Sequence, residues 1–353
     1  MTTGRAISCR TSLPPRRSCP RERKHHCRRD GATQRPSAGR GLPASLGEAL
    51  MNTNAFTLYR ALHYAWRKCQ PVVRVSVNGR EYKLKPITLA GLLNAKWQAG
   101  WKAHLLSHLL PLGKGAFIDV GANVGQTLLD FLATSSSAPC YLFEPNPNCV
   151  VELNSIVAIN RIENCKVVPI GLSDTSGPAK LFLAPSSPLD QGASLIENLR
   201  PNRQFEEVTV PCFRFDDIYT AIGIENISLI KIDVEGAEPL TIAGMTACIE
   251  KFRPIILCEV LDADPRADLD QHDVGLKKLR YKLSSLSYSI FSVAKQTDGT
   301  AVARLDQVSE FRKRYFSKET AEECDYVFCP AEKSAALESS GIKTAFAQSS
   351  VVA

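Results

Sequence analysis

Three apolar runs in this chain end in acids, and the spacing around those acids is what could do chemistry. Phe117-Ile118-Asp119-Val120 runs into Gly121-Ala122-Asn123-Val124-Gly125, and helical spacing follows from Thr127 to Ala133. That is a strand, a glycine turn and a helix, the arrangement in which strand-end backbone faces a crevice and glycine lets a ligand approach the main chain. A dinucleotide site needs G-x-G-x-x-G so that a pyrophosphate can sit on the helix N-terminus, but Asn123 stands where the second glycine belongs. Asp119 would repel a pyrophosphate, and it suits a cation or an ammonium group. The second run, Tyr141-Leu142-Phe143-Glu144, ends 25 positions after Asp119 in an acid placed to accept both hydroxyls of a ribose. The third, Ser228 to Asp233, continues into Val234-Glu235-Gly236-Ala237-Glu238.

A ligand with an ammonium group, a second positive centre and a ribose is S-adenosylmethionine, which carries a sulfonium. Asp233 and Glu235 end the fourth predicted strand, across the crevice from the glycine turn, and are the catalytic candidates. Moving a methyl group to a hydroxyl is an in-line displacement that needs positioning and removal of one proton. A carboxylate could take that proton or hold a divalent ion that acidifies the hydroxyl. A divalent metal is thus compatible with these acids, but the residues do not call for one, and no metal ligand is assigned. His63, His104, His108 and His272 are rival bases that the sequence does not place. His104 and His108 stand four apart on one helical face, a chelating spacing, yet no Glu lies between them and the flanking leucines read as packing.

The elements that must position these residues alternate in the manner of a doubly wound α/β sheet. Strands are expected at Lys166–Ile170, Ser228–Asp233, Pro254–Val260, Ser287–Val293 and Asp325–Cys329. Helices are expected at Trp97–Leu110, Asn148–Arg161, Glu238 to about Thr246 and Asp273–Leu286. Between the third and fourth strands lies an insertion, Gly177–Tyr219, in which Lys180–Leu183 and Glu207–Val210 can pair as a ribbon. The polar stretch between them is long for a connection and reads as a lid. Ahead of the sheet, residues 54–68 predict an aromatic amphipathic helix, and Val72–Lys85 alternates around Asn78-Gly79, a hairpin signal.

The net charge of +7 invites a nucleic-acid reading that its distribution removes. Residues 1–50 hold eleven Lys and Arg against three acids, a net of +8, so the other 303 residues carry −1. That basic stretch lacks apolar periodicity and is expected to be a disordered tail, an untranslated upstream frame before Met51 or a leader. The division expected is 1–50 tail, 51–112 helix and ribbon extension, 113–333 main domain and 334–353 a second disordered tail. The twelve cysteines include no C-x-x-C pair and several fall inside apolar runs, which points to reduced thiols and a cytoplasmic setting. No apolar run reaches the eighteen or so residues of a membrane span.

The strings FIDVGANVGQ at 117–126, FEPNP at 143–147, GLSD at 171–174, VTVPCFRFDDI at 208–218 and IKIDVEGAE at 230–238, in that order, resemble the FkbM family of S-adenosylmethionine-dependent methyltransferases. The resemblance covers about residues 115–330. It implies a class I methyltransferase (Rossmann-like) fold with strand order 3-2-1-4-5-7-6, mostly parallel with one antiparallel strand. By position, it implies that Asp119, Gly121, Asn123 and Gly125 hold the methionine end of the cofactor, Glu144 the ribose, and Ser173 with Asp174 the adenine edge. Arg214-Phe215-Asp216 departs from the usual Thr-Leu-Asp without disturbing the ribbon. The activity implied is O-methylation of a hydroxyl on a sugar, glycan or polyketide-like small molecule, with no nucleic-acid partner for the folded domain. N-methylation, or binding of the cofactor without catalysis, is the alternative. A nicotinamide dehydrogenase is disfavoured by the missing glycine at 123.

Overall fold

The computed structural model describes residues 72–86 and 100–346, apart from 186, 188, 198, 201 and 202. All of them lie in the second of the chain's two units, Ala55–Ala353. The tail expected at 1–50 and the helix expected at 54–68 fall outside the described residues.

The chain enters through a hairpin, β1 (Val73–Val77) and β2 (Arg80–Leu84). Its turn, Asn78-Gly79, holds both residues at positive φ (47° and 77°), the conformation whose twist matches the strands it joins. Helix α1 (Gly100–Leu109) follows, burying Trp101, Ala103, Leu105, Leu106 and Leu109. Then strands and helices alternate as the sequence predicts: β3 (Ala116–Val120), α2 (Gln126–Ala133), β4 (Cys140–Phe143), α3 (Pro147–Ile159) and β5 (Cys165–Val168). Residues 171–213 leave the main sheet as β6 (Gly171–Leu172), β7 (Gly177–Leu183) and β8 (Glu206–Phe213), a separate three-stranded sheet of order β6-β8-β7. The ribbon pairs Lys180 with Thr209 and Leu181 with Val208. The short helix α4 (Phe215–Ile218) returns the chain to β9 (Ile227–Ile232), followed by α5 (Glu238–Gly244), α6 (Thr246–Phe252), β10 (Ile255–Glu259), α7 (Leu269–Ser285), β11 (Tyr288–Lys295), β12 (Val302–Val308), β13 (Asp325–Pro330), α8 (Ser334–Glu338) and β14 (Thr344–Ala345).

The main sheet runs β14-β12-β11-β13-β10-β9-β3-β4-β5. Read from β5 to β11 this is the order 3-2-1-4-5-7-6. β13 is inserted antiparallel to both β10 and β11. Two edge strands extend the sheet beyond that expectation. β12 pairs antiparallel with β11, and β14 adds to β12 through Leu305↔Thr344 and Asp306↔Ala345. The tail expected at 334–353 is therefore corrected over 334–346. Leu337 and Ile342 are buried in the core cluster that also holds Leu105, Val302 and Leu305. One helix turn and two strand residues are too short to leave a periodic signal, so the sequence read them as tail.

Every residue of β3 and β9 is buried, the mark of central parallel strands covered on both faces. Their registers bring Asp119 opposite Lys231 and Val120 opposite Ile232, while β4 sets Phe143 beside Val120. The carboxyl ends of β3, β4, β9 and β10 thus open side by side at one edge of the sheet. In an open α/β sheet the crevice lies there.

Candidate active site

A cavity of about 230 Å³ occupies that crevice. The turn residues Gly121, Ala122 and Asn123, the strand-end acids Glu144, Asp233, Glu235 and Glu259, and the lysines Lys102 and Lys231 all line it. Phe143, Ile170, Leu172 and Leu181 give it an apolar flank.

The turn is shaped by close approach. Gly121 has φ 75°, and a Cβ there would lie 1.8 Å from the Asp233 carbonyl oxygen, so only glycine fits between β3 and the end of β9. Asn123 is also left-handed, at φ 46°. Its side-chain oxygen accepts from the Val124 N–H, and its own N–H donates to Glu144 Oε2 at 2.8 Å. Glu144 Oε1 accepts from the Asn146 N–H at 2.8 Å. Each carboxylate oxygen of Glu144 is thereby fixed by one backbone donor and keeps a lone pair for the cavity. Burial pushes this carboxyl up to about 7 against the pull of those two donors.

Beneath the turn, Lys231 is 3% exposed inside a strand of apolar residues. Its Nζ lies 3.1 Å from Asp119 Oδ1 and 3.4 Å from Asp233 Oδ2, and it donates to the Gly121 carbonyl at 2.9 Å. Burial pushes the fully enclosed Asp119 carboxyl upward and Lys231 opposes it. Burial lowers Lys231, but the charges of Asp119 and Asp233 outweigh it and hold the ammonium above its usual value. One cation therefore ties the floor of the glycine turn to the acid across the crevice.

Asp233, Glu235 and Glu259 form the opposite wall, with one oxygen from each within 4.8 Å of the others. Burial would raise Asp233, yet Lys231 and then Lys102 bring it down to about 2. Glu259 goes the other way, driven well above the carboxylate range by the Asp233 charge, then by burial and by a hydrogen bond to Asp233. The two shifts run in opposite directions because Asp233 is the one of the pair beside Lys231. Glu235 sits at φ 53°, strained for a residue with a side chain, in the turn after β9. Burial and the Asp233 charge raise it to about 7, opposed by Arg200, whose Nη2 is 2.5 Å from Glu235 Oε2. Three carboxylates so close are the donor set of a hard cation. Here Arg200 and Lys231, the latter shared with Asp119, already offset part of their charge.

The polar insertion folds over this wall. Gln191, Ala193 and Leu195 line the cavity, and Ser194 Oγ donates to the Glu235 carbonyl at 2.6 Å. The loop is braced by Arg203 on Asp190, with both contacts at 3.0 Å, and by the Ala184 N–H on Asp190.

Of the residues singled out from sequence, Gly121, Asn123, Glu144, Asp233 and Glu235 come together around the cavity. Asp119 does not line it, being enclosed beneath Lys231. Gly125, at φ 89°, caps α2 and faces Ile156 and Leu153 of α3 instead. Ser173 and Asp174 do not line it either. β6 pairs with β8 and carries Ser173 against α5, where its carbonyl lies 1.9 Å from where a Gly244 Cβ would stand. The cavity meets Gly171 and Leu172 just before them. His104 and His108 face backbone, at Val302 N–H and Ser340 carbonyl, in keeping with packing. Lys102, Arg200, Lys231 and Glu259 were not anticipated. Lys231 alone carried a signal, as a charge inside a buried apolar strand that needs a partner.

Strand order, crevice position and the acid-tipped strands define a Rossmann-like α/β domain with the 3-2-1-4-5-7-6 sheet of class I methyltransferases. Residues 119–289 match the family described as Methyltransferase FkbM domain. It is 28% identical over 156 residues to Methyltransferase sdnD of Sordaria araneosa, covering 36% of this chain and 59% of that protein. It is 25% identical over 146 residues to 2-O-methyltransferase NoeI of Sinorhizobium fredii, covering 38% of this chain and 59% of that protein. The chain thus spans 59% of the length of each of these relatives. Methyltransferase FkbM from Methylobacillus flagellatus, a solved structure, aligns at 16% identity with a TM-score of 0.37 over 61% of this chain and 43% of that one.

Proposed function

We propose that this protein is an S-adenosylmethionine-dependent O-methyltransferase acting on a hydroxyl of a small molecule or glycan. The observation that carries the reading is the pair of acids of opposite character on one wall: Asp233 held ionised by Lys231, and Glu235 raised to about 7. The residues present fit the cofactor. Glu144 offers two fixed carboxylate oxygens for a ribose diol, Phe143, Ile170, Leu172 and Leu181 offer an apolar bed for a base, and Gly121 allows main-chain approach. When bound, the cofactor supplies an electrophilic methyl group on sulfur.

The chain's own residues supply the rest. Asp233, too weak a base at about 2 to take a proton from a hydroxyl, accepts a hydrogen bond from it and fixes its direction. Glu235, with a pKa near the working pH, is the matched general base. The insertion borders this wall, with Gln191, Ala193 and Leu195 lining the cavity and Ser194 bonded to the Glu235 carbonyl. The printed name of NoeI supports transfer to oxygen. The eight described cysteines are all free thiols, which supports a cytoplasmic setting, and no described helix is long and apolar enough to cross a membrane.

The test is titration calorimetry with S-adenosylmethionine, S-adenosylhomocysteine and NAD, followed by a screen of hydroxylated and amine acceptors. Both adenosyl ligands bind, Glu144→Ala loses them, and Glu235→Gln keeps them while turnover falls by roughly 10²–10⁴. Binding of NAD in their place, or turnover on amines alone, defeats the proposal; binding with no acceptor in the screen defeats the catalytic part.

A further inference from the structure

We propose that Lys102, contributed by α1 ahead of the family-matched segment, is the residue that binds the carboxylate of the cofactor's methionine moiety. This rests on the reading of the crevice as an S-adenosylmethionine site.

The argument begins from charge. The acids lining the cavity are Glu144, Asp233, Glu235 and Glu259, and a carboxylate entering among them needs a cation of its own. Among the described residues the basic side chains lining the cavity are Lys102 and Lys231, with Arg200 beside it, and the last two are committed. Lys231 is buried and shared between Asp119, Asp233 and the Gly121 carbonyl. Arg200 is spent on Glu235 and on the Gly192 carbonyl. Lys102 lines the cavity, is half-buried, and has no acidic group within ion-pair distance among the described residues. Its Nζ lies over the face of Trp101, 5.5 Å from the ring centroid.

Position within the crevice then selects the end of the cofactor. The acids whose charge reaches Lys102 are Asp119, Asp130 and Asp233, which belong to β3, to α2 and to the end of β9. Gln126 and Thr127, the first residues of α2, share the lining with it. Lys102 therefore stands on the glycine-turn side, while Glu144 and the apolar flank mark the nucleoside side. The methionine moiety is a zwitterion, and Lys102 is the cation on this side of the crevice placed for its carboxylate. A half-buried ammonium meeting a carboxylate forms a charge-assisted hydrogen bond, stronger than one between neutral groups.

Decarboxylated S-adenosylmethionine lacks only the group in question, so it separates this contact from the rest of the site. Calorimetry on the full chain compares wild type, Lys102→Met and Lys102→Arg with both ligands. Methionine keeps the chain length and helix propensity of lysine, so α1 is retained. The wild type binds the intact cofactor more tightly than the decarboxylated one. Lys102→Met weakens the intact cofactor roughly ten- to hundredfold and changes the decarboxylated ligand by less than about twofold. Lys102→Arg restores most of the preference. Equal loss of both ligands in Lys102→Met, or no loss of the intact cofactor, overturns the proposal. Failure of the wild type to bind either ligand overturns the underlying functional reading instead.

Discussion

Lys231→Met is the substitution with the most to say about how the site is built. Lys231 and Asp119 face each other across adjacent strands at 3.1 Å, with side chains 4% and 0% exposed. Removing the ammonium leaves a carboxylate enclosed without its counter-ion, for which a cost of about 3–5 kcal/mol is usual. At roughly 2–4 °C per kcal/mol for a domain of about 150–250 residues, that is a fall in melting temperature on the order of 10 °C. Asp119→Asn in the same chain removes the stranded charge, so the double variant is more stable than Lys231→Met alone. The coupling energy across the cycle is expected at about 1.5 kcal/mol or more. Urea denaturation followed by circular dichroism, on the wild type, both single variants and the double variant, measures it. The same substitution withdraws the cation that lowers Asp233, so the Asp233–Glu259 pair loses its bias toward ionised Asp233 and bound acceptor is oriented less well. Additive effects, with a coupling below about 0.5 kcal/mol, would refute the view of Asp119 as the buried partner of Lys231 and return it to the role of a direct cofactor ligand.

Two further outcomes follow from the same geometry. Gly121→Ala forces a Cβ to 1.8 Å from the Asp233 carbonyl at φ 75° and is expected to cost about 2–5 kcal/mol with loss of cofactor binding. Gly223→Ala, at φ 87° in open space, costs only about 1–2 kcal/mol, and equal melting temperatures for the two variants would contradict the close-approach argument. Glu144, Glu235, Glu238 and Asp130 are all raised to about 7, mainly by burial, above their unfolded values. The native state therefore binds more protons than the unfolded state between about pH 4.5 and 7. Stability of the unliganded protein falls as pH rises through that window, by up to about 1.4 kcal/mol per unit for each group. The lowered Asp233 acts oppositely but only below about pH 4, while the lowered His104 and His272 oppose the four acids inside the window and reduce the net decline. Melting temperatures at pH 5.5 and 7.5 test this: Glu238→Gln flattens the decline, and a rise toward pH 7.5 would contradict it.

Much of the architecture was legible in local pattern. The apolar runs ending at Val120, Phe143 and Ile232, the turn at Asn78-Gly79, and the ribbon around Lys180 and Val208 are set by residues close in sequence, where side-chain period and turn chemistry speak directly. The same locality put Glu144 and Asp233 at strand tips, and both line the cavity, since an acid at the tip of a buried parallel strand faces the crevice wherever the strand lies in the sheet. The C-terminal elements escaped it: β12 buries Leu305, α8 buries Leu337 and the bend before β14 buries Ile342 only because distant parts of the chain cover them.

The division is sharpest at Asp119 and Ser173. From sequence, an acid before a glycine turn and a polar pair after a third strand look alike as ligands. The register that sets Asp119 opposite Lys231, 112 positions away, makes the acid a buried counter-ion, and the pairing of β6 with β8 carries Ser173 out to α5. Arg200 reaches Glu235 only because the insertion folds back, and Glu259 comes abreast of Asp233 only because β10 lies beside β9. Sequence by itself determined which residues end strands, because backbone period is a local property. Tertiary structure alone decided which of those ends hold a charge and which hold a proton, because ionisation depends on neighbours brought from elsewhere in the chain and on the water they displace.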